Sequence, residues 1–305
     1  MDETPPPIAG DAAGLGPAGR VEARYLAFLE TISQLRPRLH RYCARMTGSV
    51  LDGEDVVQET LFQAYRKLDS YDDQRPLEPW LFRIAHNRCI DFLRQRGVRE
   101  QAEAAAVEAD ETLPVEPAGP ALGKAVEHLI GVLPPKERAC VLLKDVFDYS
   151  LEEIAELVDS TIGGVKAALN RGRLKLAGRP YEPGAKAHTL EHGQLLRLYV
   201  ERFNQRDWDG LRELIADDAR LRVHDRYLGR LDESGYFGVY SRFPAGWHMA
   251  VGNVDGETAL IVRHADGVEW TPIRVRIAGE RITELRDYWH CPWVLESAET
   301  VTIGS

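Results

Sequence analysis

Nowhere do these 305 residues contain eighteen consecutive apolar residues, so no segment reads as a membrane-spanning helix. Cysteine is scarce. Cys43, Cys89, Cys140 and Cys291 stand far apart, with no CxxC pair and no Cys/His cluster. That pattern argues against a disulfide framework or a zinc site and predicts buried thiols in a reducing compartment. The opening stretch "MDETPPPIAGDAAGLGPAG" lacks the basic and apolar regions of a signal peptide. Residues 1–23 are therefore expected to be a disordered leader, and the chain to remain cytoplasmic. Two local absences are more informative. Residues 100–123 hold six acidic residues and no basic one, whereas residues 160–179 hold five basic residues and no acidic one.

What is present is an ordinary globular composition, 44% hydrophobic and 28% charged, with a net charge of −10. The acid is concentrated in the connecting stretches and in residues 189–305, which alone carry −5. A globally acidic chain can thus keep local phosphate-binding surfaces. "EQAEAAAVEADETLPVEPAGPALG" (100–123), rich in alanine, glutamate and proline, reads as an extended acidic linker. "GRPYEPGAKAH" contains a second boundary at 180–188. Three folded segments follow: 24–99 and 124–179, both helical throughout, and 189–305. In the last, helices give way to short strand-like runs such as "TALIVRH" and "IRVRI" separated by turn signals, the pattern of an α+β domain.

Within the first segment, "WLFRIAHNRCIDFLRQR" (80–96) is amphipathic. At 100° per residue, Trp80, Arg83, Asn87, Asp91 and Arg94 fall within about 80° of one another. Leu81, Phe82, Ala85, Cys89, Phe92 and Leu93 take the other side. A solvated face with Arg–Asp pairs would satisfy the charges. Tryptophan among arginines, however, is the combination that stacks on unpaired bases while holding phosphates. With "EDVVQET" and "YRKLDSY" upstream, residues 24–96 resemble region 2 of the extracytoplasmic-function (ECF) sigma factors of the sigma-70 superfamily. The resemblance implies that Asp55, Gln58 and Glu59 dock on the clamp helices of the largest polymerase subunit. It also implies that Trp80, Arg83, Asn87 and Arg94 hold the melted minus-10 element. Asp72 and Asp73 in the intervening loop repel phosphate, so promoter preference does not transfer from relatives.

In the second segment Ser150 and Glu153 form a capping box, and Thr161 is a plausible cap for the next helix. Ile162, Val165, Leu169 and Leu176 share one side of that helix, with Gly172 as a packing gap. Lys166, Asn170 and Arg173 lie on another side, flanked by Arg171 and Lys175. This is helix-turn-helix geometry, with the second helix placed to enter a major groove. The stretch Leu133–Leu176 resembles sigma region 4, which implies minus-35 recognition through Thr161, Lys166, Asn170, Arg171 and Arg173, and contact with the polymerase flap. It departs from the pattern at Asp159-Ser160 and at Gly163-Gly164, which softens the helix start by roughly 1 kcal/mol per glycine.

Residues 190–295 resemble the SnoaL-like, ketosteroid-isomerase-like cone, helices wrapped on a curved sheet. His224, Asp225, Tyr236, Trp247, His248 and Asp287 are its candidate pocket residues. Nothing in the sequence forms a catalytic pair, and fold analogy alone licenses no enzyme. The fold class expected is two all-α sigma domains followed by an α+β domain. The resemblance implies a sigma factor for core RNA polymerase and promoter DNA, with no cofactor or metal. The third domain would regulate in cis, through an intramolecular contact or a small-molecule ligand. The rival reading is a one-component DNA-binding regulator whose third domain senses a ligand.

Overall fold

The computed structural model describes residues 17–72, 76–106, 129, 131–178, 193–224, 226–242, 246–263, 270–298 and 300–303. The chain divides into two compact units. The described parts of the first are 17–47, 52–72, 76–99, 129 and 131–178, and those of the second are 48–51, 100–106 and the described residues from 193 onward.

The helical unit is built from α1 (Pro17–Thr47), α2 (Val50–Lys67) and α3 (Leu77–Ala106), with a single 3₁₀ turn, Leu68–Ser70, after α2. Then come α4 (Pro135–Val141), a π-turn over Leu142–Val146, α5 (Leu151–Leu157) and α6 (Ile162–Gly178). Helices α1 and α2 pass so closely that a Cβ on Gly53 would lie 2.6 Å from the Ala44 backbone nitrogen, so only glycine fits there. Both sequence segments contribute to one apolar core. Leu39, Tyr42 and Phe82 from the first pack in the same cluster as Leu143, Phe147 and Ile154 from the second.

The seam between them is polar and aromatic together. The Arg38 guanidinium lies 5.8 Å from the Phe82 and Phe147 ring centres and 5.5 Å from that of Tyr149. It donates to the Phe147 carbonyl at 3.1 Å and pairs with Glu78 at 2.5 Å. The Tyr149 hydroxyl donates to the same Glu78 oxygen at 2.8 Å. Below this box Arg138 donates to the Met46 and Leu133 carbonyls. A cation walled by three rings is attracted by each ring face, most strongly where water is excluded.

The second unit is a seven-stranded sheet in the order β2-β1-β6-β5-β4-β3-β7. The strands are β1 (Ile215–Val223), β2 (Tyr227–Arg230), β3 (His248–Val254), β4 (Glu257–Arg263), β5 (Trp270–Ala278), β6 (Arg281–Asp287) and β7 (Val301–Ile303). All neighbours are antiparallel except β1 and β6, which run parallel. Its core joins side chains of α7 (Gly193–Gln205), α8 (Trp208–Glu213) and α9 (Tyr236–Tyr240), among them Tyr199, Phe203 and Phe237, to Leu221, Leu260 and Leu285 of the sheet. Asn204 clips α7 to β3 by donating to the Met249 carbonyl at 2.9 Å and accepting from its N–H at 2.8 Å. A last helical turn, α10 (Trp293–Glu296), precedes β7. The α+β reading of the third segment holds, and all four cysteines are buried free thiols.

The helical core contains a histidine the sequence did not mark. His86 is buried, its Nδ1 lies 2.9 Å from the Tyr42 hydroxyl, and burial lowers its pKa from 6.5 to about 4, helped by the Lys136 charge. Between those pH values the unfolded chain binds a proton that the native one refuses, so stability is complete above pH 6.5 and falls as pH drops toward 4. A shift of this size corresponds to roughly 3 kcal/mol in total. Urea denaturation should therefore show the helical unit weakening from pH 7 to pH 4, with a shallower loss in His86→Leu than in the parent. Parallel profiles would remove His86 as the cause.

Candidate nucleic-acid interface

Helix α3 presents Arg83, Asn87 and Arg94 as an exposed row, while Leu81, Phe82, Ala85 and Cys89 on its other side are buried. Trp80 begins the row but is not loose. Its ring packs against Tyr71 with centroids 4.6 Å apart, leaving it half-buried and held in place. A stacking platform is useful when it is fixed before a base arrives, because less side-chain freedom is then lost on binding. Asp91 stands within 3.8 Å of Arg94 and 3.3 Å of Arg88, so one carboxylate tempers this face. Of the loop acids, Asp72 is exposed and Asp73 lies outside the described residues.

Helix α2 differs from its sequence reading. Asp55 is buried, and neighbouring Glu54 is sealed in a 2.5 Å pair with Arg36. Only Gln58 and Glu59 of the three expected docking residues reach the surface. Phe62 and Tyr65, which with Val56, Thr60 and Leu68 trace a broad apolar side of this helix in the sequence, are instead 57% and 55% exposed. The inward positions are Val56, Val57, Thr60, Ala64 and Leu68. The helical stripe is thus displaced by one position from the one that aromatic residues suggest. With exposed Tyr25, Leu26 and Leu29 on α1, Phe62 and Tyr65 make an apolar patch, and the Tyr25 and Tyr65 rings meet edge-on at 5.7 Å. Exposed patches of this composition mark partner surfaces.

The helix-turn-helix is α5, a turn at Val158–Thr161, and α6. The Ser150–Glu153 box closes as expected, with backbone N–H groups donating at 2.7 and 3.2 Å. Asp159 takes φ 49°, the left-handed conformation that explains why glycine suits this turn; aspartate is one of the few substitutes that tolerate it. Thr161 caps α6, accepting from the Gly164 N–H at 3.1 Å. A Cβ on Gly172 would sit 3.0 Å from Val141, which makes it the close-packing point between α6 and α4. Thr161, Lys166, Asn170, Arg171 and Arg173 are all exposed. They are not equally available. Arg171 and Lys175 clasp Glu137 at 2.9 and 2.8 Å, and Arg173 makes a two-pronged pair with Asp145. The hydrogen bond from Lys175, followed by that from Arg171, keeps the Glu137 carboxyl below its usual range despite the opposing effect of burial. Lys166 and Asn170 remain as the forward-facing members. Sequence spacing placed the cations but gave no sign of their acidic partners, which lie 28 to 38 residues away.

In the second unit, Asp287 is buried and joined to Tyr236. The Tyr236 and Tyr240 hydroxyls donate to its Oδ2 at 2.7 and 2.8 Å, and the Trp289 N–H donates to Oδ1 at 2.9 Å. Burial raises the Asp287 pKa, while these three donors pull it back. Tyr240 was missed, although its spacing of four from Tyr236 puts both on one side of α9. Trp247 stacks on Trp289 at 4.7 Å, and Trp289 meets Tyr240 edge-on at 6.0 Å. His224 is buried against Tyr288, with ring centres 4.3 Å apart. His248 is exposed at the start of β3, and Asp225 lies outside the described residues. A cleft of about 520 Å³ opens near Ile215, Leu231 and Phe237, and of the expected pocket residues only Tyr236 lines it. The Asp287 carboxylate holds two tyrosines in place.

Two family models match the chain: Sigma-70 region 2 over residues 31–99 and Sigma-70, region 4 over residues 123–176. The ECF RNA polymerase sigma factor SigW of Bacillus subtilis is 33% identical over 159 residues, 48% of this chain and 85% of that protein. SigG of Mycobacterium tuberculosis is 28% identical over 247 residues, 70% of this chain, and the alignment spans 64% of that relative's length. Among solved structures, the M. tuberculosis ECF sigma factor SigJ aligns over 88% of this chain and 98% of its own, at 18% identity and a TM-score of 0.33. With both family regions matched in order, and 85% of SigW covered at 33% identity, the chain belongs to the ECF RNA polymerase sigma factors of the sigma-70 family.

Proposed function

We propose that this sigma factor engages core RNA polymerase through the outer side of α2, traps the melted minus-10 strand on α3 and reads the minus-35 duplex with α6. The observation that carries the reading is the row of half-buried Trp80 with exposed Arg83, Asn87 and Arg94 inside the matched region 2. A regulator that binds an intact operator has no use for a fixed tryptophan among arginines, which favours the sigma reading over the one-component alternative. Gln58 and Glu59, with Phe62 and Tyr65 beside them, supply the polar and apolar parts of a polymerase surface. The clamp helices and the flap are the partner elements proposed for α2 and for the region 4 segment.

The free protein is closed. Its two promoter-reading segments share one core, sealed by the Arg38 box, and three of the cations of α6 are engaged on Glu137 and Asp145. Polymerase must separate the segments to spread them over a promoter, so the free chain binds promoter duplex poorly. The C-terminal unit regulates this in cis, and the SnoaL-like resemblance adds a small-molecule ligand as a candidate signal. No helix among the described residues is long and apolar enough to cross a membrane, in keeping with a cytoplasmic partner.

Three outcomes follow. Replacing Trp80, Arg83 and Asn87 together by alanine should abolish promoter opening, read by permanganate reactivity of unpaired thymines, while polymerase still co-purifies. Intact opening would refute the strand-trapping assignment. Glu137→Gln with Asp145→Asn should release Arg171, Arg173 and Lys175 and steepen the salt dependence of minus-35 binding by about one unit of slope per freed cation that reaches phosphate. An unchanged slope would show that those cations never reach phosphate. Ending the chain near residue 185 should change transcript yield while polymerase binding stays measurable, and equal yields at every promoter tested would discard regulation by the third domain.

A further inference from the structure

In the C-terminal unit the cleft of about 520 Å³ lies between the start of β1, the end of β2 and α9. Its floor is apolar: Ile215, Leu231, Tyr236 and Phe237 line it and are themselves buried. Asp287 does not line it. Tyr236 joins the two places, since it borders the cleft while its hydroxyl donates to the Asp287 carboxylate at 2.7 Å. Gly238, in the middle of α9, borders the cleft as well, and also a neighbouring hollow of about 250 Å³. Glycine is a poor helix former, and inside a helix it usually answers to close packing, an unusual backbone angle or a function. The first two do not apply. A Cβ on Gly238 would meet nothing within 4 Å among the described residues, and its φ is not in the left-handed region. Gly53 and Gly172 differ, because a Cβ there would press on a neighbouring helix. What the bare position at Gly238 preserves is the space of the cleft.

The rim sets the chemistry. Arg230 forks onto Asp232 at 2.7 and 3.0 Å and donates to the Asp217 carbonyl at 2.9 Å. Arg212 holds Asp209 at 2.6 Å and lies 5.6 Å from the Phe237 ring centre. The Asp217 carboxylate stands 3.9 Å from Arg281. Each charged side chain bordering the cleft therefore has an opposite charge of the protein beside it. We propose that the cleft binds a small, uncharged and largely apolar molecule, its body resting on Ile215, Leu231, Tyr236 and Phe237. An ionised ligand would have to displace one of these pairs or bring an unanswered charge onto the apolar floor, which is costly. An uncharged one buries its surface and disturbs none of them. The volume and the lining, apolar walls with a few polar groups at the rim, are those of a small-molecule site. The assignment rests on the reading of the C-terminal unit as a ligand-responsive regulator and deepens it by naming the place and the class of the signal.

The test uses the full chain without polymerase or promoter, so its outcome is separate from that of the truncation assay. N-phenyl-1-naphthylamine is an uncharged probe that brightens in apolar surroundings, and its sulfonated analogue is the charged counterpart. The parent should bind the uncharged probe saturably at a single site, and the sulfonate at least about tenfold more weakly. Gly238→Leu, which fills the space with a good helix former, should weaken binding of the uncharged probe at least about tenfold. The probe should also raise the melting temperature of the parent and leave that of Gly238→Leu unchanged. Gly238→Ala should melt at or above the parent's temperature, because alanine suits a helix better and its methyl group touches nothing here. Equal probe affinity in the parent and in Gly238→Leu, or tighter binding of the sulfonate, overturns the proposal. So does a Gly238→Ala chain that melts below the parent, since the glycine would then serve packing and not a ligand.

Discussion

The helical unit depends on one cation. Arg38 lies among Phe82, Phe147 and Tyr149, and its charge is answered by Glu78, which also accepts from the Tyr149 hydroxyl. Phe82 and Glu78 belong to α3, the helix that carries Trp80, Arg83, Asn87 and Arg94; Phe147 and Tyr149 lead into the helix-turn-helix. Each polar group in the box is satisfied by a group from the opposite segment or by its own helix. Opening the seam would leave a guanidinium and a carboxylate to be rehydrated. Those are groups water accepts readily, unlike a purely apolar seam, whose exposure is penalised over its whole area. A seam of this composition holds the free protein closed yet yields to a partner that offers comparable contacts.

The same economy of charge runs through α6. Glu137 and Asp145 engage Arg171, Lys175 and Arg173, so the helix that looks most basic in sequence is partly neutralised. The cations of these pairs are exposed, although Glu137 itself is buried. Phosphate can replace the carboxylates at little expense, and the arginines are meanwhile kept in extended, ordered conformations. In the C-terminal unit the logic is reversed. Asp287 lies out of water and takes hydrogen bonds from two tyrosines and one backbone N–H, an arrangement that fixes α9 to the end of β6.

Much of this was legible in the sequence. The capping box, Gly172 and the two faces of α3 follow from spacing and side-chain chemistry, and local signals report local structure faithfully. The errors share a cause. Phe62 and Tyr65 fall on the apolar side that Val56, Thr60 and Leu68 trace, but tertiary packing buries Val57, Ala64 and Leu68 and leaves both aromatic residues exposed. Asp55 was expected at a polymerase-facing surface because of the resemblance to region 2, and it is buried. Arg38, Glu78 and Tyr149 had no signature at all: 71 residues separate Glu78 from Tyr149, and no local period connects them. The pocket residues divided in the same way, since Tyr236 and Asp287 meet only because the sheet brings α9 over β6.

The π-turn at Leu142–Val146 connects these observations. One extra residue per turn there sends the Phe147 N–H back to the Leu142 carbonyl at 3.1 Å and widens the helix just before Phe147. From that single widening, Asp145 leaves on the side of Arg173 and Phe147 leaves on the side of Arg38. Two electrostatic restraints, one on the groove-reading helix and one on the seam, are consequently wound onto the same spring, and a force that straightens it slackens both together.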